Sequence, residues 1–233
     1  RKAIELNPDF AMAHNNLGTV LRDLGNLQDA ELSLRKAIEL NPDFANAYSN
    51  LGVILRDLGK SEEAFDSYLK VIDINPTFSN IYASITRFLK DSDPCQLNKL
   101  KLNNILNLLL EKNNISHQEL FKVFNFLYRN EMISNLEKFD LDFSKIELLI
   151  NDEVIINALK KIIFNDLKLE ELLTKIRRSI CNLIANNTET INYSALKFII
   201  TLGEQCFLNE YVYSVTEEEN ISVENIIKKC RDS

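Results

Sequence analysis

The sequence predicts an all-α protein in which stacked helical hairpins lead into an irregular helical bundle. Three observations carry that expectation. NNLGTVLRDLG (Asn15–Gly25) returns 34 residues later as SNLGVILRDLG (Ser49–Gly59), with eight identities in eleven positions. Apolar residues recur at helical spacing, beginning with the stripe Ala13, Leu17, Val20, Leu21 and Leu24. Only 5 Gly and 4 Pro occur in 233 residues, too few for the turns of an all-β fold.

The elements follow in order. RKAIEL at Arg1–Leu6 repeats at Arg35–Leu40, so the chain opens on the end of a second helix. Together with Arg1 in place of an initiating Met, this places its start inside a longer protein, with an open stacking face expected to self-associate or fray. A first helix then runs to a turn at Gly25, where a left-handed C-cap favours glycine. Gly18 and Ala30 are small enough for the two helices of a hairpin to approach closely. Pro42 lacks an N–H and ends the second helix near Leu40. The second unit repeats these features through Gly52, Gly59, Ala64 and Pro76. A third begins with Asn80, Ile81, Tyr82 and Ile85 in register, then departs: Thr86 replaces the glycine, and Pro94 falls where a second helix would start. Residues 1–93 therefore form one domain and 94–233 another.

A 34-residue period resembles the tetratricopeptide repeat (TPR), one helical hairpin per repeat. Counted from Ala11 and Ala45, the pattern residues stand in place. These are His14 and Tyr48 in an aromatic slot, Leu17-Gly18 and Leu51-Gly52, Leu21 and Leu55, Ala30 and Ala64, Leu34 and Tyr68, Ala37 and Val71, and Pro42 and Pro76. The resemblance implies a solenoid whose hairpins cover one another's apolar faces. It also implies that the first helix of each hairpin lines a concave groove for a protein or peptide segment. His14 reads as core packing.

Packing explains the repeated leucines but not the repeated polar residues Asn16 and Asn50, nor Arg22-Asp23, Arg56-Asp57 and Lys90-Asp91. Asn16 and Asn50 resemble the asparagine ladder of O-linked N-acetylglucosamine transferases, since an amide can bind a backbone N–H and C=O in any sequence. The third rung is Ser84 here, and Met12 and Asn46 replace the acidic residue often found near the helix start. Recent duplication without a ligand would also repeat these asparagines. The Arg–Asp pairs read first as salt bridges between adjacent repeats. As ligand contacts, Arg22, Arg56 and Lys90 would suit carboxylates. The candidate groove residues are thus Asn15, Asn16, Asn50, Arg22, Asp23, Arg56, Asp57 and Lys90.

Beyond Pro94, periodicity and caps predict about seven helices. They are Leu97–Glu111; His117–Arg129, behind a Ser116/Glu119 capping box; Lys145–Ile150, after Asp142-Phe143-Ser144; Asp152–Phe164, capped by Asn151; Leu167–Asn186; Tyr193–Leu208; and Ser222–Cys230. Glu217-Glu218-Glu219 suits a helix N-terminus.

Composition excludes several functions. The net charge of -7 and the lack of a basic stripe argue against nucleic acid. No apolar run reaches the roughly 20 residues that span a bilayer. Cys95, Cys181, Cys206 and Cys230 form no CxxC, which suits reduced thiols in a cytoplasmic protein without a metal site. No GxGxxG or GxxxxGK[ST] is present, and His14 and His117 are the sole histidines, so no cofactor, metal or catalytic residue is expected. LLTKIRRSICNLI (Leu172–Ile184) and TLGEQCFLNEYVYSVTEEE (Thr201–Glu219) resemble the helical region ahead of the catalytic domain in bacterial TPR-containing S-adenosylmethionine-dependent methyltransferases. That resemblance implies a non-catalytic part of a modifying enzyme. The alternatives are the TPR region of an O-linked glycosyltransferase and a purely structural or oligomerisation module.

Overall fold

The computed structural model describes residues 2–136, 151–186, 193–208, 217 and 220–225. Every regular element among them is helical. The chain divides into two compact units, Arg1–Leu102 and Asn103–Ser233.

The first unit holds a short α1 (Lys2–Leu6), the hairpins α2/α3 (Ala11–Asp23, Leu27–Leu40) and α4/α5 (Ala45–Asp57, Ser61–Ile74), and then α6 (Ile81–Asp91). The repeated glycines terminate the first helices as the sequence predicts. Gly25 and Gly59 have φ of 79° and 75°. Behind each, two backbone bonds close the helix end: Gly25 N to Arg22 O (2.8 Å) and Asn26 N to Leu21 O (2.9 Å), with Gly59–Arg56 and Lys60–Leu55 as counterparts. This is a Schellman cap, and it satisfies carbonyls the helix leaves open. The Asn-Pro turns are equally local. Asn41 Oδ1 accepts from Asp43 N (3.2 Å) while Phe44 N donates to Asn41 O (3.2 Å), and Asn7 and Asn75 do the same. The aromatic slot pins the next helix to that turn: His14 Nε2 donates to the Pro8 carbonyl (2.9 Å) and Tyr82 Oη to the Pro76 carbonyl (2.8 Å).

Gly18 and Gly52 are required by packing. A Cβ on Gly18 would lie 2.6 Å from Leu34 Cγ, and one on Gly52 2.6 Å from Tyr68 Cε1. Ala30, Leu34, Ala64 and Tyr68 are buried opposite them. Phe88 of α6 then closes the core, stacking on Phe65 (5.9 Å) and tilting against Tyr68 (5.5 Å). Each such ring contributes about 1.5–3 kcal/mol by burial.

α6 begins two residues later than the repeat register places it, because Asn80 sits at φ 62°. Asparagine tolerates that left-handed region better than most residues. Thr86, in the glycine position, is buried and donates to Tyr82 O (2.8 Å). Pro94 opens a 3-10 turn (Pro94–Gln96) capped by Asp93.

α7 (Lys99–Glu111) precedes a 3-10 turn, His117–Leu120, and α8 (Phe121–Leu136). Ser116 thus starts a 3-10 turn and makes no side-chain cap bond, so the expected capping box is not formed. α9 (Glu153–Lys161) is capped by Asp152, which accepts from Val154 N and Ile155 N, rather than by Asn151. It ends before Phe164, at an extended Ile162, and Gln118 holds the next residue, donating from Nε2 to Ile163 O (3.0 Å) and accepting from Ile163 N at Oε1 (2.8 Å). Asp166 then opens α10 (Leu167–Asn186), accepting from Lys168 N, Leu169 N and Arg129 Nε. α11 (Tyr193–Leu208) packs on α9. Phe124 joins Phe164 (5.0 Å) and Tyr128 (5.2 Å) in the core of this unit. The expected helix Lys145–Ile150 lies outside the described residues, and of Ser222–Cys230 only 222–225 are described, as helix.

Candidate functional site

The first helices α2, α4 and α6 carry the repeated polar residues, and the structure separates their roles. Asn15 is buried at 7% exposure, Asn16 is exposed, and Asn50 is half-buried. Asn50 Nδ2 donates across the repeat boundary to Asn15 Oδ1 (2.9 Å) and lies 3.5 Å from Thr19 Oγ1. Asn15 Nδ2 in turn reaches Asn16 Oδ1 (3.4 Å). A chain of amides therefore runs Asn50–Asn15–Asn16. Among the described residues it leaves the Asn50 carbonyl and the Asn16 amide nitrogen without protein partners. One open acceptor and one open donor match what an extended backbone presents. The bond between Asn50 and Asn15 also gives the repeated asparagine a structural reason that spacing alone does not reveal.

The Arg–Asp pairs do not bridge adjacent repeats as expected. Arg22 Nη2 meets Asp23 Oδ1 at 2.9 Å and Arg56 Nη2 meets Asp57 Oδ1 at 2.8 Å, each within its own repeat. Being adjacent and partly exposed, each pair contributes about 0–1 kcal/mol. The hydrogen bond to Asp57 holds the Arg56 guanidinium above its ordinary value against burial, with Asp91 of α6 adding its field. Lys90 is exposed on the same helix.

The bridges between repeats are instead made by the second helices and their loops. Glu31 accepts from Lys60 Nζ (2.8 Å) and Arg35 Nη2 (2.8 Å), and Arg35 also pairs with Glu63. Burial pushes the Glu31 carboxyl up, yet hydrogen bonds from Lys60 and Arg35 outweigh it and hold it below its ordinary value. Sequence reasoning missed this network. Its signal was the pairing of Glu31 with Arg35 at helical i,i+4 spacing.

Two hollows flank the repeats. One of about 470 Å³ is lined by Arg35, Tyr48, Glu63 and Asp66 among others. Its charges pair with protein groups, Arg35 with Glu63 and Asp66 with Lys101. The other, about 440 Å³, is apolar and lies along α2 between Ile4, Phe10, Val20 and Leu24. Here Val20 is 54% exposed, whereas Ile54, its counterpart on α4, is 1% exposed.

Among the described residues, no group of three or more His, Cys, Asp or Glu side chains could hold a metal ion. None of their helices is long and apolar enough to cross a membrane. Cys95 is exposed.

The tetratricopeptide repeat family model matches residues 1–43 and 15–77. Among solved structures, the chain is similar to YrrB, described as a TPR protein with an unusual peptide-binding site, at 17% identity and a TM-score of 0.41, covering 99% of this chain and 92% of that one. No curated protein matches the chain. The family match and the hairpin geometry coincide over residues 1–77, which are similar to a tetratricopeptide-repeat array.

Proposed function

We propose that this chain is a non-catalytic interaction module, in which the face formed by α2, α4 and α6 holds an extended segment of another protein or of its own parent chain. The observation that carries the reading is the amide chain Asn50–Asn15–Asn16, which leaves one acceptor and one donor open on a repeat surface. Two amides of opposite open polarity grip a backbone without reading its side chains. An array of short peptides tethered through their C-termini tests it. The chain is expected to bind a subset, and Asn16→Ala is expected to weaken all binders while leaving the fold intact, because Asn16 is exposed. Binding that survives Asn16→Ala and Asn50→Ala together would contradict the reading.

The parent we favour is an S-adenosylmethionine-dependent methyltransferase, with an O-linked glycosyltransferase second. The support for the first is the sequence likeness of Leu172–Ile184 and Thr201–Glu219, and for the second the asparagine pair. In either case the catalytic part is another segment. Neither S-adenosylmethionine nor a nucleotide sugar should then raise the melting temperature of this chain, and a saturable shift would make it an enzyme. A second reading, association of two copies through α2, is favoured by the exposed Val20 and Leu24.

A further inference from the structure

The aromatic slot of the repeat is filled three times, and one of the three behaves differently. His14 and Tyr82 each bond the proline carbonyl of the turn before them, whereas Tyr48 makes no hydrogen bond among the described residues. Tyr48 instead lines the hollow of about 470 Å³ between α3, α4 and α5. It stands two residues before Asn50, about 200° around the helix, so the hollow and the amide row belong to opposite sides of α4. Half-buried Ile38 and buried Leu51 and Leu55 form the apolar part of the hollow. Glu39, Glu63 and Asp66 line it too, and all three are exposed. Each spends one oxygen on a neighbour: Glu39 Oε1 on Lys36, Glu63 Oε2 on Arg35 and Asp66 Oδ1 on Lys101. Among the described residues the second oxygen of each has no partner. Arg35, which also lines the hollow, already divides its Nε and Nη2 between Glu31 and Glu63. This chemistry is not repeated along the chain: Leu32 stands in place of Asp66 one repeat earlier, and Leu97 in place of Glu63 one repeat later.

An apolar floor, an aromatic ring and three open acceptors together suit a guest with an apolar stem, a flat cationic head and several donors. Arginine has all three, whereas lysine presents a compact point charge. The net charge of -7 adds a long-range attraction for a basic partner. We propose that the hollow between α3, α4 and α5 is a second binding site, which takes an arginine side chain of a protein partner. The guanidinium stacks on the Tyr48 ring and donates to the open oxygens of Glu39, Glu63 and Asp66, while its methylenes cover Leu51 and Leu55. The site does not depend on the amide face, so either reading can fail without the other.

The test is an NMR titration of the full chain with N-acetyl-arginine amide, whose charge is confined to the side chain, beside its citrulline and lysine counterparts. The ring signals of Tyr48 and the methyl signals of Leu51 and Leu55 should move and saturate with millimolar arginine probe. Citrulline keeps the shape and loses the charge, and it should bind about tenfold more weakly, the scale of a lost hydrogen bond to a charged group. Glu39→Gln combined with Asp66→Asn should weaken the arginine probe by a similar factor, and Tyr48→Leu, which removes the ring, should weaken it as well. Tyr48→Phe should melt like wild type because its hydroxyl holds nothing in the fold, whereas Tyr82→Phe, which loses the bond to Pro76, should melt lower. Equal binding of citrulline, or shifts spread over the acidic surface without saturation at Tyr48, would overturn the proposal. Binding unmoved by both the double variant and Tyr48→Leu would overturn it too. Lysine bound as tightly as arginine would overturn the assignment to a guanidinium.

Discussion

At the scale of single residues, the small positions of the repeat make the firmest claims. Gly52 faces the ring of Tyr68, which is itself fully buried and held against Phe88. Gly52→Ala should therefore destabilise the first unit by about 1–3 kcal/mol, the usual cost of overpacking, read as a lower urea midpoint. Asn15 makes a comparable prediction for a different reason. It is buried, and among the described residues its side-chain carbonyl is satisfied by Asn50 alone, across the repeat boundary. Asn50→Ala leaves that carbonyl unpaired, so it should cost about 1–3 kcal/mol, whereas Asn16→Ala should cost little. A melt in which Asn16→Ala is the more damaging change would contradict this division of roles. The glycines and their turns were legible in the sequence because each answers a local steric demand. The split between Asn15, Asn16 and Asn50 was not. Which face an amide shows depends on the neighbouring helix, and that relation spans a repeat boundary.

Charge sets the behaviour of whole elements. α3 and α5 are tied by Glu31, Lys60, Arg35 and Glu63, with the Glu31 carboxyl held below its ordinary value of 4.5. A carboxyl depressed in the folded state adds stability above its unfolded pKa and loses it as pH falls through the folded one. As pH falls from about 4.5 through the folded value, the wild type should lose more stability than Glu31→Gln, which has no carboxyl there to protonate. Parallel loss in urea titrations of both proteins would show that the network does not stabilise the folded state. The elements themselves were readable wherever a cap or a proline fixed an end, as at Gly25, Gly59 and Pro94. They were misread at Ser116 and Asn151. Neighbouring residues there share capping chemistry: Asp152 rather than Asn151 caps its helix, and Ser116 starts a 3-10 turn without a side-chain cap bond.

For the molecule as a whole, the repeat was visible in a 34-residue period, because stacking demands the same apolar face in every hairpin. The second unit had no comparable regularity, and its function is correspondingly less legible. The exposed Val20 and Leu24 make one whole-molecule prediction. Sedimentation should show the average mass rising with concentration, and Leu24→Glu should abolish the rise. A mass independent of concentration would remove the second-copy reading. The central claim remains the amide face. The most direct measurement is an NMR titration of the isotope-labelled chain with a peptide taken from the array. The account predicts that the side-chain amide signals of Asn16 and Asn50 move. Movement confined to α3 and α5, with those signals fixed, would contradict it.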